Sequence, residues 1–302
     1  MHVDDQLRRY ALLHHGLVER ATAHRMGLTD RQLRLRVAAG TWRRCSRAVF
    51  ALSEVRATAE QELLLAAWTC GRPVSHLSAA WLAGLIDDPV QPVHVSVEAT
   101  ASHRFAHTVV HRCDDLAVID RTRRRRIPTT TAERTLVDLA AVVDEGELRT
   151  AVDRALRLGL TTPERLTRRV RALARPGRAG AAAARRVLTD IDEERALSES
   201  ELESALFALV VEAGLPAPTL QHEVSIDGRR YRIDLCYPHL RLAIEVDGFG
   251  VHGSRDAFEA DRARQNDLVL AGWRVLRFTW RQIRDDPAGV IAQLRAAVDA
   301  AA

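Results

Sequence analysis

The sequence contains no lysine, and all 44 of its strongly basic residues are arginines. A guanidinium stays protonated across the physiological pH range, so arginine cannot readily serve as a general base. Any base that this protein uses is therefore expected to be a histidine, a carboxylate or a metal-bound hydroxide.

Cysteine is scarce, with four residues at Cys45, Cys70, Cys113 and Cys236. No two of them have the CxxC spacing of a zinc site or a redox pair, which argues against both. We expect free thiols in a reducing cytoplasm. No apolar run approaches the length of a membrane span, and the acidic N-terminus lacks the apolar core of a signal peptide. A cytoplasmic protein without a membrane partner is expected.

The length of 302 residues predicts two or three domains, and a hydrophobic fraction of 47% is enough for real cores. The net charge of +4 is unevenly distributed, because residues 1–56 carry eleven arginines against five acids. A basic excess in one segment fits a nucleic-acid partner. The Pro- and Gly-containing stretch Arg175–Gly180 marks a hinge. Together these shifts predict four segments: 1–56, 57–175, a linker with a helix over 176–197, and 198–302.

Carboxylates stand near the ends of neighbouring apolar strands in the last segment. Ile233–Cys236 and Arg241–Val246 have the pattern of two strands joined by a hairpin. The hairpin would bring Asp234 and Glu245 together on one face, and Asp247 has the same parity as Glu245. Buried carboxylates cost on the order of several kcal/mol unless they are paired or bind a metal. Three converging acids indicate a site for Mg²⁺, with Mn²⁺ as the alternative ion, and Mg²⁺ is the usual electrophile for phosphodiester hydrolysis.

The rest of this segment completes an α/β pattern. A helix over about Ser200–Ala213 precedes the strands, and a loop with Gly248 and His252 follows them. A second helix ends at Gly272, and Trp273–Thr279 forms the last strand. The predicted order is helix, three strands, helix, strand and helix. The alternative is that Asp234 and Asp247 are merely turn acids.

This pattern resembles the PD-(D/E)XK restriction-endonuclease-like superfamily. More narrowly, it is similar to the branch that contains the very-short-patch mismatch repair (Vsr) endonucleases and their actinobacterial relatives. The resemblance is carried by these motifs: Ser200-Glu201-Leu202-Glu203, Arg232-Ile233-Asp234, Ile244-Glu245-Val246-Asp247-Gly248, His252, Asp261-Arg262 and Gly272-Trp273-Arg274-Val275-Leu276.

The resemblance implies a role for each acid. Asp234 would be the central metal ligand and Glu245 the second-strand acid, while Glu203 would approach the metal from the first helix. With Asp247 on the same side, the expected metal set is Asp234, Glu245 and Asp247. His252 matches the family histidine that acts near the attacking water. The superfamily's usual lysine is replaced by Asp247, which puts catalytic efficiency in doubt but not the fold.

The first segment has helical spacing over Asp4–His15, Val18–Met26 and Asp30–Ala39, with Thr29 as the cap of the last helix. Trp42–Leu52 predicts a two-stranded wing. A short helix, a Gly-containing turn and an Arg-bearing helix form the helix-turn-helix pattern. The segment resembles the winged-helix domain of AbiEi-like antitoxins through Arg25-Met26-Gly27-Leu28-Thr29, Ala39-Gly40-Thr41-Trp42 and Ala48-Val49-Phe50-Ala51-Leu52.

Six side chains of this segment are candidates for DNA contact. Those on the third helix would read base edges and those on the wing would hold phosphates. They are Arg31, Gln32 and Arg34 on the helix, and Arg43, Arg44 and Arg47 on the wing. The alternatives are an ordinary solvated face and a protein-binding winged helix. Residues 57–175 resemble the middle region of the same antitoxin-like proteins, which implies no catalytic chemistry.

The expected fold is multidomain, with an N-terminal winged helix-turn-helix, an α+β middle region and a C-terminal α/β restriction-endonuclease-like domain. The first functional hypothesis is a metal-dependent DNA endonuclease. The second is a non-enzymatic, DNA-binding transcriptional regulator or antitoxin-like protein with a degenerate nuclease domain. The missing lysine favours the second, whereas Asp234, Glu245 and His252 favour the first. DNA is the expected partner, and a homodimer and a toxin-like protein are further candidates.

Overall fold

The computed structural model describes residues 3–98, 107–175, 178–247 and 255–300, without the side chains of residues 98, 247, 255–259 and 261. The chain divides into two compact units, Met1–Val187 and Leu188–Ala302. Among the described residues, no helix combines the length and the apolar character needed to cross a membrane.

The first unit begins with helices arranged around a small sheet. Its first six elements are α1 (Val3–Leu13), β1 (Leu17–Glu19), α2 (Arg20–Arg25), α3 (Asp30–Ala38), β2 (Trp42–Arg44) and β3 (Val49–Leu52). The strands form an antiparallel sheet in the order β1-β3-β2. The helix predicted from Val18 begins later, at Arg20, because the preceding residues pair with β3 and bury Leu17 and Val18.

Two apolar clusters hold these elements. One is formed by residues before position 56 and includes Leu7, Leu33 and Trp42. The other joins residues of β1 and β3 to residues far along the chain, such as Leu64 and Val95. The N-terminal segment therefore shares part of its core with the segment that follows it.

The remainder of the first unit is mixed α and β. Its elements are α4 (Ala59–Cys70), α5 (His76–Ala83), β4 (Val93–Glu98), β5 (Thr108–Cys113), β6 (Arg121–Arg124), β7 (Ile127–Thr130), α6 (Ala132–Leu139), α7 (Glu145–Arg157), α8 (Pro163–Leu173) and α9 (Ala181–Ala196), which crosses the unit boundary. Strands β4 and β5 are parallel, and β6 and β7 form a hairpin.

Three histidines meet beside β4 and β5. The Nε2 atom of His111 lies 3.0 Å from Nδ1 of His94, and the ring of His76 stacks on that of His111 with centroids 3.4 Å apart. Burial lowers the pKa of all three, to about 2 for His76 and to about 4 for His111. Each imidazole is therefore neutral at physiological pH, and this cluster belongs to the polar interior of the unit.

The second unit is a sheet between two layers of helices. Its elements are α10 (Glu199–Glu212), β8 (Thr219–Ile226), β9 (Arg229–Tyr237), β10 (Leu242–Asp247), α11 (Arg255–Leu270), β11 (Arg274–Thr279), α12 (Trp280–Asp285) and α13 (Pro287–Asp299). The sheet order is β11-β10-β9-β8, with β10 and β11 parallel and the other pairs antiparallel. The structure thus has the predicted order of helix, three strands, helix, strand and helix, with one further helix, α12, inserted before the last.

The alternation along β10 decides which layer each side chain meets. Leu242 and Ile244 pack into a cluster with residues of α10, α12 and α13. Ala243 lies in the other cluster, with Leu268 of α11. Because Glu245 has the parity of Ala243, its side chain faces the layer of α11.

Candidate active site

Asp234 and Glu245 lie on neighbouring antiparallel strands. The register of β9 and β10 pairs Leu235 with Ile244, so one step further along places Asp234 opposite Glu245. The backbone N–H of Val246 donates a hydrogen bond of 3.2 Å to Oδ2 of Asp234. The hairpin therefore brings together the two acids that the sequence predicts to converge.

The carboxylate of Glu245 is buried between two arginines. Arg277 occupies the register position beside Glu245 on β11, and its guanidinium lies 2.8 Å from Oε2. Arg264 of α11 approaches the other oxygen, Oε1, at 2.6 Å. Only 4% of the residue is exposed, so a charge on this carboxylate would be costly without its positive partners.

Asp234 is half-buried in a different environment. Burial raises the pKa of its carboxyl group, and this outweighs the opposing effects of the Val246 N–H and of the positive charge on Arg264. The pKa of Glu203 on α10 is also raised, first by burial and further by the negative charge of Asp234. The role of Glu203 near a metal stays a prediction from the resemblance.

Gln221 is a site residue that the sequence did not reveal. Its side-chain amide donates a hydrogen bond to Glu203, and its position in the register is opposite Asp234. Its φ of 50° is in the left-handed region, which is strained for a non-glycine residue. A glutamine within an ordinary strand pattern carries no signal for such a conformation.

Two sequence candidates have no described side chain. Asp247 is the last residue of β10 and its backbone pairs with Thr279 of β11, but its side chain lies outside the described part of the structure. His252 lies outside the described residues altogether. Their roles stay predictions from the sequence.

The described acids fit a hard cation in part. No three His, Cys, Asp or Glu side chains form a metal-binding group among the residues that the structure describes. Asp234 and Glu203 nevertheless offer oxygen ligands whose raised pKa values a bound cation would offset. Glu245 differs, because a guanidinium lies against each of its oxygens. Among the described acids, Asp234 and Glu203 are thus the candidate cation ligands, and Asp247 is the third acid that the sequence predicts.

The candidate DNA contacts lie on α3, on β2 and in the turn between β2 and β3. All six of their side chains are exposed, and no described residue accepts a hydrogen bond from the guanidinium of Arg31, Arg34, Arg43 or Arg47. Gln32 is committed locally, because its Oε1 accepts from the backbone N–H of Thr29 in a capping box. Arg44 donates to the carbonyl oxygen of Ser46 at 3.1 Å. Arg31, Arg34, Arg43 and Arg47 are thus better placed for an external anion than Gln32 and Arg44, whose side chains already bond to the backbone.

Comparison with known proteins agrees with this description of the second unit. A family model of restriction-endonuclease-like proteins, REase_MTES_1575, matches residues 204–298. The C-terminal domain is therefore restriction-endonuclease-like, which points to a nuclease. The chain is also similar to the uncharacterised Mycobacterium tuberculosis proteins MT2308 and Rv2248, with 29% identity over 126 residues in each case. Each match covers 41% of this chain and 45% of the relative, so the chain spans less than half the length of these proteins.

Proposed function

We propose that this protein is a divalent-metal-dependent DNA endonuclease. The observation that carries the proposal is the pairing of Asp234 with Glu245 on adjacent strands within the region that matches the restriction-endonuclease-like family. A bound Mg²⁺ or Mn²⁺ would polarise the phosphodiester. Asp234 would hold that ion with Glu203, Asp247 would complete the acid set, and His252 would orient or deprotonate the attacking water.

We also propose that residues 1–56 form a winged helix-turn-helix that binds DNA. The support is the order of helices and strands, the capping box at the start of α3, and the exposed guanidiniums of Arg31 and Arg34. Arginine can bind guanine bidentately, while Arg43 and Arg47 would hold phosphates. This part would bring the nuclease domain to DNA.

The second candidate is a DNA-binding regulator without nuclease activity. It is favoured by the absence of lysine and by the guanidiniums that lie against Glu245. One experiment separates the two candidates. Supercoiled plasmid is incubated with the full chain in Mg²⁺ or Mn²⁺, and in EDTA as the control. The endonuclease predicts nicked or linear product, whereas retardation of intact plasmid without any product would establish the regulator.

A further inference from the structure

Two arginines converge on Glu245 from different elements. Arg277 comes from the adjacent parallel strand, where the register alone places it beside Glu245. Arg264 comes from α11 and also donates a hydrogen bond of 2.6 Å to the carbonyl oxygen of Arg232. One carboxylate thus fixes two guanidiniums at one end of the sheet.

The side chains of the two arginines are only partly buried, unlike the carboxylate that holds them. The Glu245 side chain is 5% exposed, whereas 27% of Arg264 and 24% of Arg277 reach solvent. Asp234 lies opposite Glu245 in the register of β9 and β10, and Arg264 donates to the carbonyl oxygen of Arg232, two residues before Asp234. An anion that binds the exposed parts of the arginines would therefore lie next to Asp234.

We propose that Arg264 and Arg277 bind the non-bridging oxygens of the scissile phosphate, and that Glu245 is the positioning residue for both guanidiniums. This inference rests on the proposed endonuclease. The planar guanidinium of an arginine can donate two parallel hydrogen bonds to phosphate oxygens. Here Glu245 fixes the orientation of each guanidinium before DNA binds. The two arginines would supply the positive charge that the chain cannot obtain from a lysine.

The alternative is a purely structural role, in which both arginines only neutralise the buried carboxylate of Glu245. The two roles predict different salt dependences of DNA affinity when no divalent metal is present. We would measure the affinity of the full chain for a short duplex in EDTA over a series of salt concentrations. The proteins would be the wild type, Arg264→Met, Arg277→Met and the control Arg274→Met. Arg274 lies on the same strand as Arg277, but its guanidinium donates to the carbonyl oxygen of Ala297.

Each lost phosphate contact lowers the slope of log affinity against log salt by about 0.9. The proposal predicts this reduction for Arg264→Met and for Arg277→Met, and a wild-type slope for Arg274→Met. Circular dichroism would verify that each variant is folded. Wild-type slopes in folded Arg264→Met and Arg277→Met would overturn the inference.

Arg277→Lys provides a second variant that keeps a positive charge beside Glu245. The proposal predicts a near-wild-type salt slope, because the positive charge is kept. It predicts a loss of cleavage of more than about tenfold, because an ammonium cannot make the bidentate hydrogen bonds of a guanidinium. Unchanged cleavage by this variant would assign Arg277 a structural role and overturn the inference. If the wild type cleaves no DNA with Mg²⁺ or Mn²⁺, the proposed endonuclease fails, and the metal-free binding series still decides whether the arginines bind phosphate.

Discussion

At the scale of single residues, the site combines two acids with opposite environments. Glu245 is buried but lies between two guanidiniums, whereas Asp234 is half-buried and has a raised pKa. A raised pKa means that the fold disfavours the ionised form of Asp234. An acid kept in this state is expected at a functional site rather than at a purely structural one.

The free-energy cost of ionised Asp234 can be measured as a gain in stability when its charge is removed. Asp234→Asn should raise the free energy of unfolding at pH 7 by on the order of 1 kcal/mol, because the amide keeps a hydrogen-bond acceptor for Val246 N–H without the buried charge. The folded wild type binds more protons than the unfolded chain between the ordinary and the raised pKa, so its stability increases as the pH falls through that window. The difference between the two proteins should therefore shrink on acidification.

Urea unfolding at several pH values tests this prediction, with Asp227→Asn as the control. Asp227 is exposed in the turn between β8 and β9 with φ of 49°, a conformation that asparagine also tolerates. Equal stability of wild type and Asp234→Asn at pH 7 would show that the site does not disfavour the charge.

The sequence predicts the acids of the site but not their partners. Asp234 and Glu245 stand out because a carboxylate is unusual in a buried strand. Arg264 and Arg277 do not stand out, because an arginine on a helix or an edge strand is ordinary in a chain with 44 of them. Only the register of β10 and β11 and the packing of α11 bring them to Glu245.

At the scale of elements, α3 is the candidate recognition helix. Its capping box fixes where the helix begins, and Leu33 defines its buried face. Arg31 and Arg34 lie outside that face and are exposed. Arg36 is tied back to Asp4 by a bond of 2.7 Å, which separates it from the exposed pair.

The double variant Arg31→Ala/Arg34→Ala should therefore weaken DNA binding. Each bidentate base contact that is lost should cost about 1–3 kcal/mol of discrimination between sequences. Fluorescence anisotropy with a bound duplex and with competitor sequences measures this loss, and Arg9→Ala on α1 is a matched exposed control. Unchanged affinity and selectivity in the double variant would remove α3 from the DNA interface.

The histidine cluster beside β4 and β5 gives the first unit a pH dependence. The pKa values of His76, His94 and His111 are lowered by burial, so the unfolded chain binds more protons than the fold below about pH 6.5. Stability contributed by these neutral rings is present above that pH and is lost on acidification. The expected loss is about 1 kcal/mol per pH unit for each ring that stays neutral.

Thermal unfolding between pH 7.5 and pH 5 measures this dependence. His111→Gln, which removes one titrating ring, should show a shallower fall in stability over that range than the wild type. An identical pH profile would mean that His111 is not held in its neutral form.

At the scale of the whole molecule, the sequence predicts the second unit better than the first. Regular alternation in β9 and β10 and the glycine at the end of α11 are local signals, and the predicted element order holds apart from the additional helix α12. The short strand β1 exists because Leu17 and Val18 pair with β3 and enter two different cores, which is a non-local cause. The sequence gives no such information about pairing.

That shared core makes a prediction about fragments. A fragment of residues 1–187 should unfold cooperatively, whereas residues 1–56 should be marginal, because the shorter fragment exposes the faces of Leu17, Val49 and Ala51 that pack on later residues. Domains of about 60 residues bury only a small hydrophobic core, so the loss of part of it makes them marginally stable. Circular dichroism melting curves of both fragments test this expectation, and equal midpoints would show that residues 1–56 are an independent domain.

The central claim is that Asp234 belongs to a site that cleaves DNA. The most direct test compares single-turnover cleavage of supercoiled plasmid in Mg²⁺ by the wild type, Asp234→Asn and Asp227→Asn. We predict that the wild type and Asp227→Asn nick the plasmid at similar rates, and that Asp234→Asn is folded, binds DNA and gives no product above the EDTA control. Equal nicking by Asp234→Asn and the wild type would contradict the claim.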